Sequence, residues 1–208
     1  MIYISKNTDL LGEGFLEQAE NFISLQRAEK LKGYSVLSDR VNGTVVYLLL
    51  RYGLEMEYGI KEKPVFEFGE REKPFLKDRS GIFFNLSHCR NAAACIISDN
   101  DTAIDIMEIR KVRESTIRRT CTEKEKISVL SSCEPEREFI RLWTRKECYS
   151  KLDGRGILLD FRNIDESIPE MRNIHTVDFG EYIVSYCSEK TQEISFVSTE
   201  NLLKFKRG

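Results

Sequence analysis

The sequence has almost no net charge and no long apolar segment. Its 208 residues contain 32 Lys and Arg against 34 Asp and Glu, for a net charge of −2. A chain so nearly balanced has no general attraction to nucleic acid or to an anionic membrane, so any phosphate-binding surface must be local. No segment approaches the roughly 18 apolar residues that span a bilayer. The first residues lack a basic segment followed by an apolar core, so we expect no signal peptide and no membrane or nucleic-acid partner.

Histidine is scarce, and the cysteines are not spaced as metal ligands. The chain has two histidines, His88 and His175, and none of its six cysteines forms a Cys-x-x-Cys pair. This composition argues against a zinc site. Scattered cysteines in a chain of this size fit thiols in a reducing compartment, so we expect a cytoplasmic protein without disulfides.

One segment has both the start and the stop residues of a helix. Pro135 lies near its beginning and Gly154 just past its end, the positions in which these residues are favoured. On this helix Trp143, Glu147 and Lys151 follow one another at intervals of four residues and therefore share a face. Two interpretations stay open. Glu147 and Lys151 form a solvent-exposed pair contributing about 0.2–0.5 kcal/mol, or they belong to a metal or phosphate site beside aromatic side chains.

Helical patterns precede strand patterns in each half of the chain. We predict helices at 15–23, at 38–54 with Ser38 as N-cap, and at 122–130 with a capping box, besides the helix that follows Pro135. Predicted strands cover residues 1–5, 82–88, 92–97, 102–107, 157–161, 182–187 and 193–198. We expect the turn at 98–101 to join its flanking strands as a hairpin. This order predicts an α+β fold of two comparable units, 1–102 and 103–208.

An aspartate lies among apolar residues in the fourth of these strands. Ile104 and Ile106 share one face, which places Asp105 on the other face with Ala103 and Met107. A carboxylate in such surroundings costs free energy unless it is paired or ligates a cation. The pattern alone leaves both interpretations open.

Three separated motifs together resemble those of one enzyme family. They are Asn-Leu-Ser-His at 85–88, Ala-Ile-Asp-Ile at 103–106, and Trp143-x-x-Lys146-Glu147-x-x-x-Lys151 followed by Gly-Arg-Gly at 154–156, with Lys-Pro at 73–74 before the first. In this order and spacing they resemble the 4′-phosphopantetheinyl transferases of the large, monomeric surfactin-type class. The resemblance covers about residues 20–190. It implies a monomer of two similar α/β subdomains related by pseudo-twofold symmetry.

The resemblance also implies a reaction. The phosphopantetheine arm of coenzyme A would move to a serine hydroxyl of an apo acyl or peptidyl carrier protein, with release of 3′,5′-ADP and with Mg²⁺ as cofactor. Asp105 and Glu147 would ligate the Mg²⁺, and Glu147 would also be a candidate general base. Lys151 would neutralise the pyrophosphate or the leaving group. Lys146 either joins them or is a structural residue of the same helix.

The family positions further imply contacts to coenzyme A. Ser87 and His88 would contact phosphate at the end of their strand, and Lys73, Arg27 and Lys30 would line the nucleotide end. Taken without the resemblance, these basic residues could equally be a solvent-exposed helical face and a loop lysine. Acidic helices of the carrier would meet basic residues, for which the candidates are Arg113, Arg118 and Arg119.

The sequence departs from the family pattern at the strand that carries Asp105. Met107 stands where the family has a glutamate, and Glu108 cannot replace it without a β-bulge, because a shift of one residue reverses the face. We therefore expect a site with two carboxylates and weaker Mg²⁺ binding. Another departure is Asn42, with Arg40 nearby, at a position that is basic in the family. Met107 keeps open a non-catalytic module that binds coenzyme A or a carrier protein, and a coenzyme A pyrophosphatase is a further alternative.

Overall fold

The computed structural model describes residues 1–69, 73–154 and 160–204. The helices in these residues are α1 Glu13–Ala19, α2 Leu25–Lys32, α3 Leu37–Tyr58, α4 Glu114–Thr120, α5 Glu123–Ser131, α6 Pro135–Asp153 and α7 Thr199–Leu202. The strands are β1 Ile2–Lys6, β2 Phe66–Phe68, β3 Pro74–Leu76, β4 Phe83–His88, β5 Ala92–Ser98, β6 Ala103–Glu108, β7 Ile174–Asp178, β8 Tyr182–Cys187 and β9 Ile194–Phe196. The chain forms two compact units, Met1–Thr102 with the segment from Gln192 onward, and Ala103–Thr191.

The first unit is a sheet covered by the long helix α3. Its strand order is β4-β5-β1-β9, with β1 antiparallel to β5 and parallel to β9. The middle of α3 is buried almost continuously, because the helix packs against the sheet along most of its length. Gly53 permits this close approach, since a Cβ there would lie 2.5 Å from side-chain atoms of both Tyr3 and Ile97. The strands β2 and β3 form a separate antiparallel hairpin.

The second unit is an antiparallel sheet with α6 packed on one face. The strand order is β6-β8-β7. Alternate residues of β6 point toward α6, because side chains in a strand alternate between faces. Apolar contacts on this face join Ile183 of β8 to Phe139 and Ile140 of α6. Further along the helix, Cys148 joins a second apolar cluster with Cys187.

The helix predicted from its terminal residues is confirmed. Pro135 is its first residue, and Gly154 ends it in the left-handed region at φ 81°. The capping box at the start of α5 is also present, since Thr122 and Glu125 each accept from the other's backbone N–H. The predicted mixture of helices and strands is confirmed as well. The pseudo-twofold relation between two similar subdomains stays a prediction.

Two local predictions are wrong. The turn at 98–101 does not join a hairpin, because β5 pairs with β4 and β1 whereas β6 pairs with β8 in the other unit. Ser38 is not the N-cap of α3, which already starts at Leu37 after the extended residue Val36.

Three further differences concern the second half of the chain. The strand β7 is absent from our sequence prediction. Of the strand predicted at 157–161, residues 157–159 lie outside the described part, and Phe161 begins a 3₁₀ turn. The predicted C-terminal unit extended to residue 208, but the segment from Gln192 belongs to the first unit, because β9 pairs with β1.

Two global features can be stated for the described residues. None of their helices is both long and apolar enough to cross a membrane. All six cysteines fall within the described ranges, and no disulfide joins any of them. Cys133 is exposed and the other five cysteines are buried.

Candidate functional site

Asp105 lies on the face of β6 that α6 covers. It pairs with Ser185 of β8 in the ladder, between Ile104 and Ile106 on the opposite face. Its side chain is only 8% exposed. A carboxylate so deeply buried must be stabilised by a nearby charge or by hydrogen bonds.

Lys151 supplies a positive charge next to Asp105. Its Nζ lies 2.7 Å from Asp105 Oδ1 and donates also to the carbonyl oxygen of Ile104 at 3.0 Å. Lys151 is in the last turn of α6, and side chains of a helix lean toward its N-terminus. The ammonium therefore reaches back over the helix to β6, where the predicted catalytic residue Lys151 is in direct contact with the predicted metal ligand Asp105.

Glu147 lies one turn before Lys151 and is partly buried. Burial raises the pKa of its carboxyl group, and the negative charge of Asp105 raises this pKa further. The positive charge of Lys151 acts in the opposite direction. Glu147, Asp105 and Lys151 thus form one electrostatic group built from a strand and a helix.

Two carboxylates that repel one another are suitable ligands for a hard cation. Mg²⁺ prefers oxygen ligands and is commonly held by one or two carboxylates, with substrate phosphates and water completing its coordination. Asp105 and Glu147 fit that donor set. In the described part of the chain, no group of three or more His, Cys, Asp or Glu is placed to hold a metal. Among the described residues, Asp105 and Glu147 are therefore the two acidic side chains that this site offers to a cation.

Met107 lies two residues after Asp105, on the same face of β6. The ladder from Ala103 to Glu108 runs without a bulge, so Glu108 points to the opposite face. Met107 packs instead against the apolar cluster around Phe139. The replacement of a carboxylate by a thioether therefore extends the apolar core next to the acidic pair.

Lys146 is a structural residue in this geometry. Its Nζ is buried and donates to Glu125 Oε2 at 2.6 Å, to the Thr120 carbonyl at 3.0 Å and to the Phe161 carbonyl at 2.8 Å. The same Glu125 oxygen accepts from the backbone N–H of Thr122 in the capping box. Lys146 therefore joins α6 to the start of α5, which explains its place in the motif without a role in chemistry.

The predicted coenzyme A contacts lie in the first unit. Ser87 and His88 end β4, which forms a hairpin with β5. Ser87 is buried and His88 is exposed, because neighbouring residues of a strand face opposite sides. Of the two, His88 therefore has the side chain that solvent can reach.

Lys73 lies at the other end of the same hairpin. It forms an ion pair with Asp101, three residues beyond Ser98, which pairs with Phe83 at the start of β4. Five residue steps along β4 separate this end from His88, or roughly 16 Å. The Lys73–Asp101 pair borders a cavity of about 880 Å³ with exposed aromatic side chains in its wall.

Lys30 and Arg27 differ although both lie on α2. Lys30 is exposed, with its Nζ 5.8 Å from the ring centre of Phe68 in the β2–β3 hairpin. Phe68 pairs with Pro74, which follows Lys73, so both lysines adjoin this hairpin. Arg27 is buried, and its guanidinium donates to the Gly43 carbonyl. Burial lowers the pKa of Arg27.

Two groups of buried polar residues support the candidate site but were not predicted from the sequence. Asn42, noted only as a missing basic residue, is buried and donates to the carbonyl oxygen of Cys89 at 3.0 Å, so it supports the turn that follows His88. Thr144 and Ser185 form a buried hydroxyl pair beside Asp105. Asparagine, serine and threonine are common at surfaces and in turns, so no spacing rule selects them.

Comparison with known proteins points to one enzyme family. The family model of the 4′-phosphopantetheinyl transferase superfamily matches residues 102–197 of the chain. The matched region contains both acidic residues and Lys151. The resemblance drawn from the three motifs is thereby confirmed.

Individual relatives carry the same name. The chain is 24% identical to the 4′-phosphopantetheinyl transferase Sfp of Bacillus subtilis over 214 residues, which cover 90% of this chain and 95% of that protein. It is 28% identical to psf-1 of Bacillus pumilus over 145 residues, 68% of this chain and 62% of the relative. It is 37% identical to HetI of Nostoc over 100 residues, 44% and 42%. The chain thus spans less than two thirds of psf-1 and HetI.

Proposed function

We propose that the protein is a 4′-phosphopantetheinyl transferase of the surfactin-type class. It transfers the phosphopantetheine arm of coenzyme A to a serine of an apo carrier protein and releases 3′,5′-ADP. The observation that carries this proposal is the electrostatic group of Asp105, Glu147 and Lys151 in a chain that the superfamily's model matches. We further propose a cytoplasmic monomer, since its buried thiols suit a reducing compartment.

Asp105 and Glu147 are the residues that would hold Mg²⁺. When bound, the cation neutralises the negative charge that develops on the pyrophosphate oxygens as the bond to the leaving nucleotide breaks. Asp105 is oriented for this role by its hydrogen bond with Lys151. The ammonium of Lys151 adds positive charge on the same side, where it stabilises an anionic leaving group.

Glu147 is the residue that would accept the proton of the carrier serine, directly or through a water molecule. A general base works best when its pKa lies near the operating pH. Burial and the charge of Asp105 raise the pKa of Glu147, which makes its carboxylate more basic than one at the surface. Asp105 would therefore both ligate the cation and raise the pKa of Glu147, the general base.

The nucleotide end of coenzyme A would be bound by residues of the first unit. Exposed His88 and the neighbouring Ser87 would contact a phosphate, and Lys73 and Lys30 would supply charge beside the β2–β3 hairpin. Arg27 supports this surface through its hydrogen bonds to the Gly43 carbonyl. We assign it to positioning because its guanidinium is buried.

The carrier protein would dock on a basic surface of the second unit. Arg110, Lys111 and Arg113 are exposed and border a hollow of about 290 Å³, whose floor includes Phe139 and Trp143. A rim of positive charge around an apolar floor suits an acidic partner with an apolar anchor residue. We call the three basic residues the basic rim. Arg118 and Arg119, also expected to contribute, are exposed on the adjacent helix α4.

The deciding experiment is transfer itself. Purified protein is incubated with coenzyme A, Mg²⁺ and apo carriers from fatty acid, polyketide and peptide synthesis. We expect one carrier class at least to gain the mass of a single phosphopantetheine group. Glu147→Gln should abolish the gain while retaining the fold, and Glu170→Gln, at an exposed glutamate of the same unit, should leave it unchanged. Full activity of Glu147→Gln, or no transfer to any carrier, would refute the proposal.

Met107 supports a second candidate function. Without the third carboxylate of the family pattern, the chain could bind coenzyme A or a carrier and catalyse no transfer. Calorimetric titration with coenzyme A separates the two functions. Tight binding that does not depend on Mg²⁺, together with no change in carrier mass, would establish the binding module. Release of phosphopantetheine in the absence of any carrier would instead indicate a coenzyme A pyrophosphatase.

A further inference from the structure

A chain of hydroxyl groups crosses the contact between α6 and its sheet. Thr144 Oγ1 lies 2.8 Å from Ser185 Oγ, which lies 3.0 Å from Thr176 Oγ1. Thr144 and Ser185 are fully buried. The chain ends at Arg145, whose Nη1 lies 3.4 Å from Thr176 Oγ1 and donates to the Ile174 carbonyl at 2.6 Å. We call Thr144, Ser185 and Thr176 the hydroxyl chain.

The hydroxyl chain is the polar part of a contact between α6 and β8 that is otherwise apolar. On its N-terminal side, Ile140 and Ile183 share an apolar cluster. On its C-terminal side, Cys148 and Cys187 share another. Four helical residues advance about 6 Å, and two strand residues advance about 6.6 Å. Every fourth residue of α6 therefore lies opposite every second residue of β8. Along this row, one polar contact lies between two apolar ones.

Apolar contacts alone do not fix this register. Burial of apolar surface is non-directional and depends mainly on area, so Ile140 and Cys148 would lose little if α6 slid slightly along β8. A hydrogen bond between two buried hydroxyls tolerates only a small change in distance. Sliding would break the buried hydrogen bond between Thr144 and Ser185 and leave Thr144 with the Arg141 carbonyl and Ser185 with Thr176, which is unfavourable because one buried hydrogen bond is lost without replacement by water. The hydroxyl chain therefore specifies one register.

This register decides how the two acidic residues are placed. Ser185 is the ladder partner of Asp105, so the hydroxyl chain meets β8 at the level of the carboxylate. Glu147 follows Thr144 by three residues, less than one helical turn. Lys151 binds Asp105 from the far side of Glu147 along the helix. The contacts of Thr144 and Lys151 thus bracket Glu147 between two fixed points.

We propose that the hydroxyl chain is a positioning device that sets the placement of Glu147 relative to Asp105, and so the affinity of the acidic pair for its divalent cation. What this placement serves rests on the proposed transferase function. Thr144, Ser185 and Thr176 touch no reacting group in this assignment. They act only through α6, so their loss should change metal affinity more than the maximal rate.

The test compares three threonine variants. Thr144→Val removes the hydroxyl at nearly constant volume, and Thr144→Ser retains it. Thr120→Val makes the same chemical change on α4, where the Thr120 hydroxyl donates to the Thr116 carbonyl of its own helix. Divalent-cation binding is measured with Mn²⁺ by electron paramagnetic resonance, in the presence of coenzyme A. The Mg²⁺ concentration for half-maximal transfer is measured in parallel.

We expect Thr144→Val to weaken Mn²⁺ binding about tenfold, the lower end of the effect of residues that orient metal ligands. The half-maximal Mg²⁺ concentration should rise by the same factor, with a much smaller loss of kcat at saturating Mg²⁺. Thr144→Ser and Thr120→Val should bind as the unaltered protein does. A Thr144→Val protein that is folded, less stable and unchanged in Mn²⁺ affinity would overturn the proposal.

A further variant and measurement distinguish failure of the hydroxyl-chain proposal from failure of the transferase proposal. If Thr144→Val does not fold, Ser185→Ala removes the same hydrogen bond from the sheet side, and its Mn²⁺ affinity decides the question by the same criterion. If the unaltered protein transfers nothing to any carrier, the transferase proposal fails. The Mn²⁺ measurement would still show whether the hydroxyl chain governs metal affinity.

Discussion

Lys151 binds both the side chain of Asp105 and the backbone before it. Its Nζ lies 2.7 Å from Asp105 Oδ1 and 3.0 Å from the carbonyl oxygen of Ile104. The last turn of α6 is therefore joined to β6 at two points, and the carboxylate is oriented before any ligand arrives. Such pre-organisation lowers the cost of arranging charges during a reaction. It also couples the stability of the unit to the proposed catalytic residues.

Asp105→Asn should therefore reduce both activity and stability. The amide is isosteric but removes one cation ligand and leaves the Lys151 ammonium without its carboxylate. We expect transfer to fall by at least about 100-fold, as when one charge-stabilising group is lost from an active site. The free energy of unfolding should fall by about 1–3 kcal/mol, measured by urea denaturation. Asp178→Asn, at an exposed pair with Arg137, should cost less than about 1 kcal/mol and leave transfer intact. Transfer by Asp105→Asn at the normal rate would contradict the assignment.

Lys146 should prove important for stability. Lys146→Met leaves the partly buried carboxylate of Glu125 without its cation and removes three hydrogen bonds. The expected loss in unfolding free energy is about 3 kcal/mol, since the removal of one partner of a buried ion pair is strongly destabilising. The matched control is Lys126→Met at the i,i+3 pair with Glu123, whose carboxylate is exposed to solvent, and this change should cost less than about 0.5 kcal/mol. A Lys146→Met protein of normal stability that transfers nothing would show a chemical role instead.

The local signals in the sequence were sufficient for the elements that carry the acidic pair. Pro135 and Gly154 delimit α6 because both act through the backbone conformation of one or two residues. The alternation around Asp105 identifies its face for the same reason. Such features depend only on neighbours in the chain, so the sequence alone is sufficient to predict them.

Pairing between strands is not local, and there the sequence was less informative. The turn at 98–101 has the composition of a hairpin, yet β5 and β6 belong to different sheets. The partner of β6 is β8, about eighty residues away in the chain, and nothing in the composition of the turn encodes that distance. The strand β7 was missed because Ile-His-Thr-Val-Asp alternates only weakly. Its pairing with β8, a tertiary contact, makes it a strand.

The roles of individual polar residues likewise depend on tertiary contacts. The motif presents Lys146 and Lys151 alike, but only Lys151 binds Asp105, while Lys146 binds Glu125. Thr144 and Ser185 are forty-one positions apart, and only the fold brings their hydroxyls together. A sequence pattern can therefore nominate charged residues for a site. It does not reveal which neutral residues hold them in place.

The basic rim should govern association with the carrier and little else. In the double variant Arg110→Glu and Arg113→Glu, the rim repels an acidic partner. We expect KM for the carrier to rise about tenfold or more, with KM for coenzyme A and kcat unchanged, because surface charges act mainly on the rate of encounter. The dependence of KM on salt should also weaken. Arg172→Glu, at an exposed arginine of the same unit, is the control. An unchanged carrier KM in the double variant would place docking elsewhere.

Two glycines with empty surroundings separate backbone strain from packing. A Cβ added at Gly59 or at Gly14 would meet no atom within 4 Å, so neither substitution creates a clash. Gly59 ends α3 in the left-handed region at φ 67°, whereas Gly14 lies in the helix α1. Gly59→Ala should therefore destabilise the protein by about 1–2 kcal/mol. Gly14→Ala should stabilise it by about 0.5 kcal/mol, because alanine loses less conformational entropy in a helix. Opposite shifts of the urea midpoint at constant m value would bear this out, and equal shifts would contradict it.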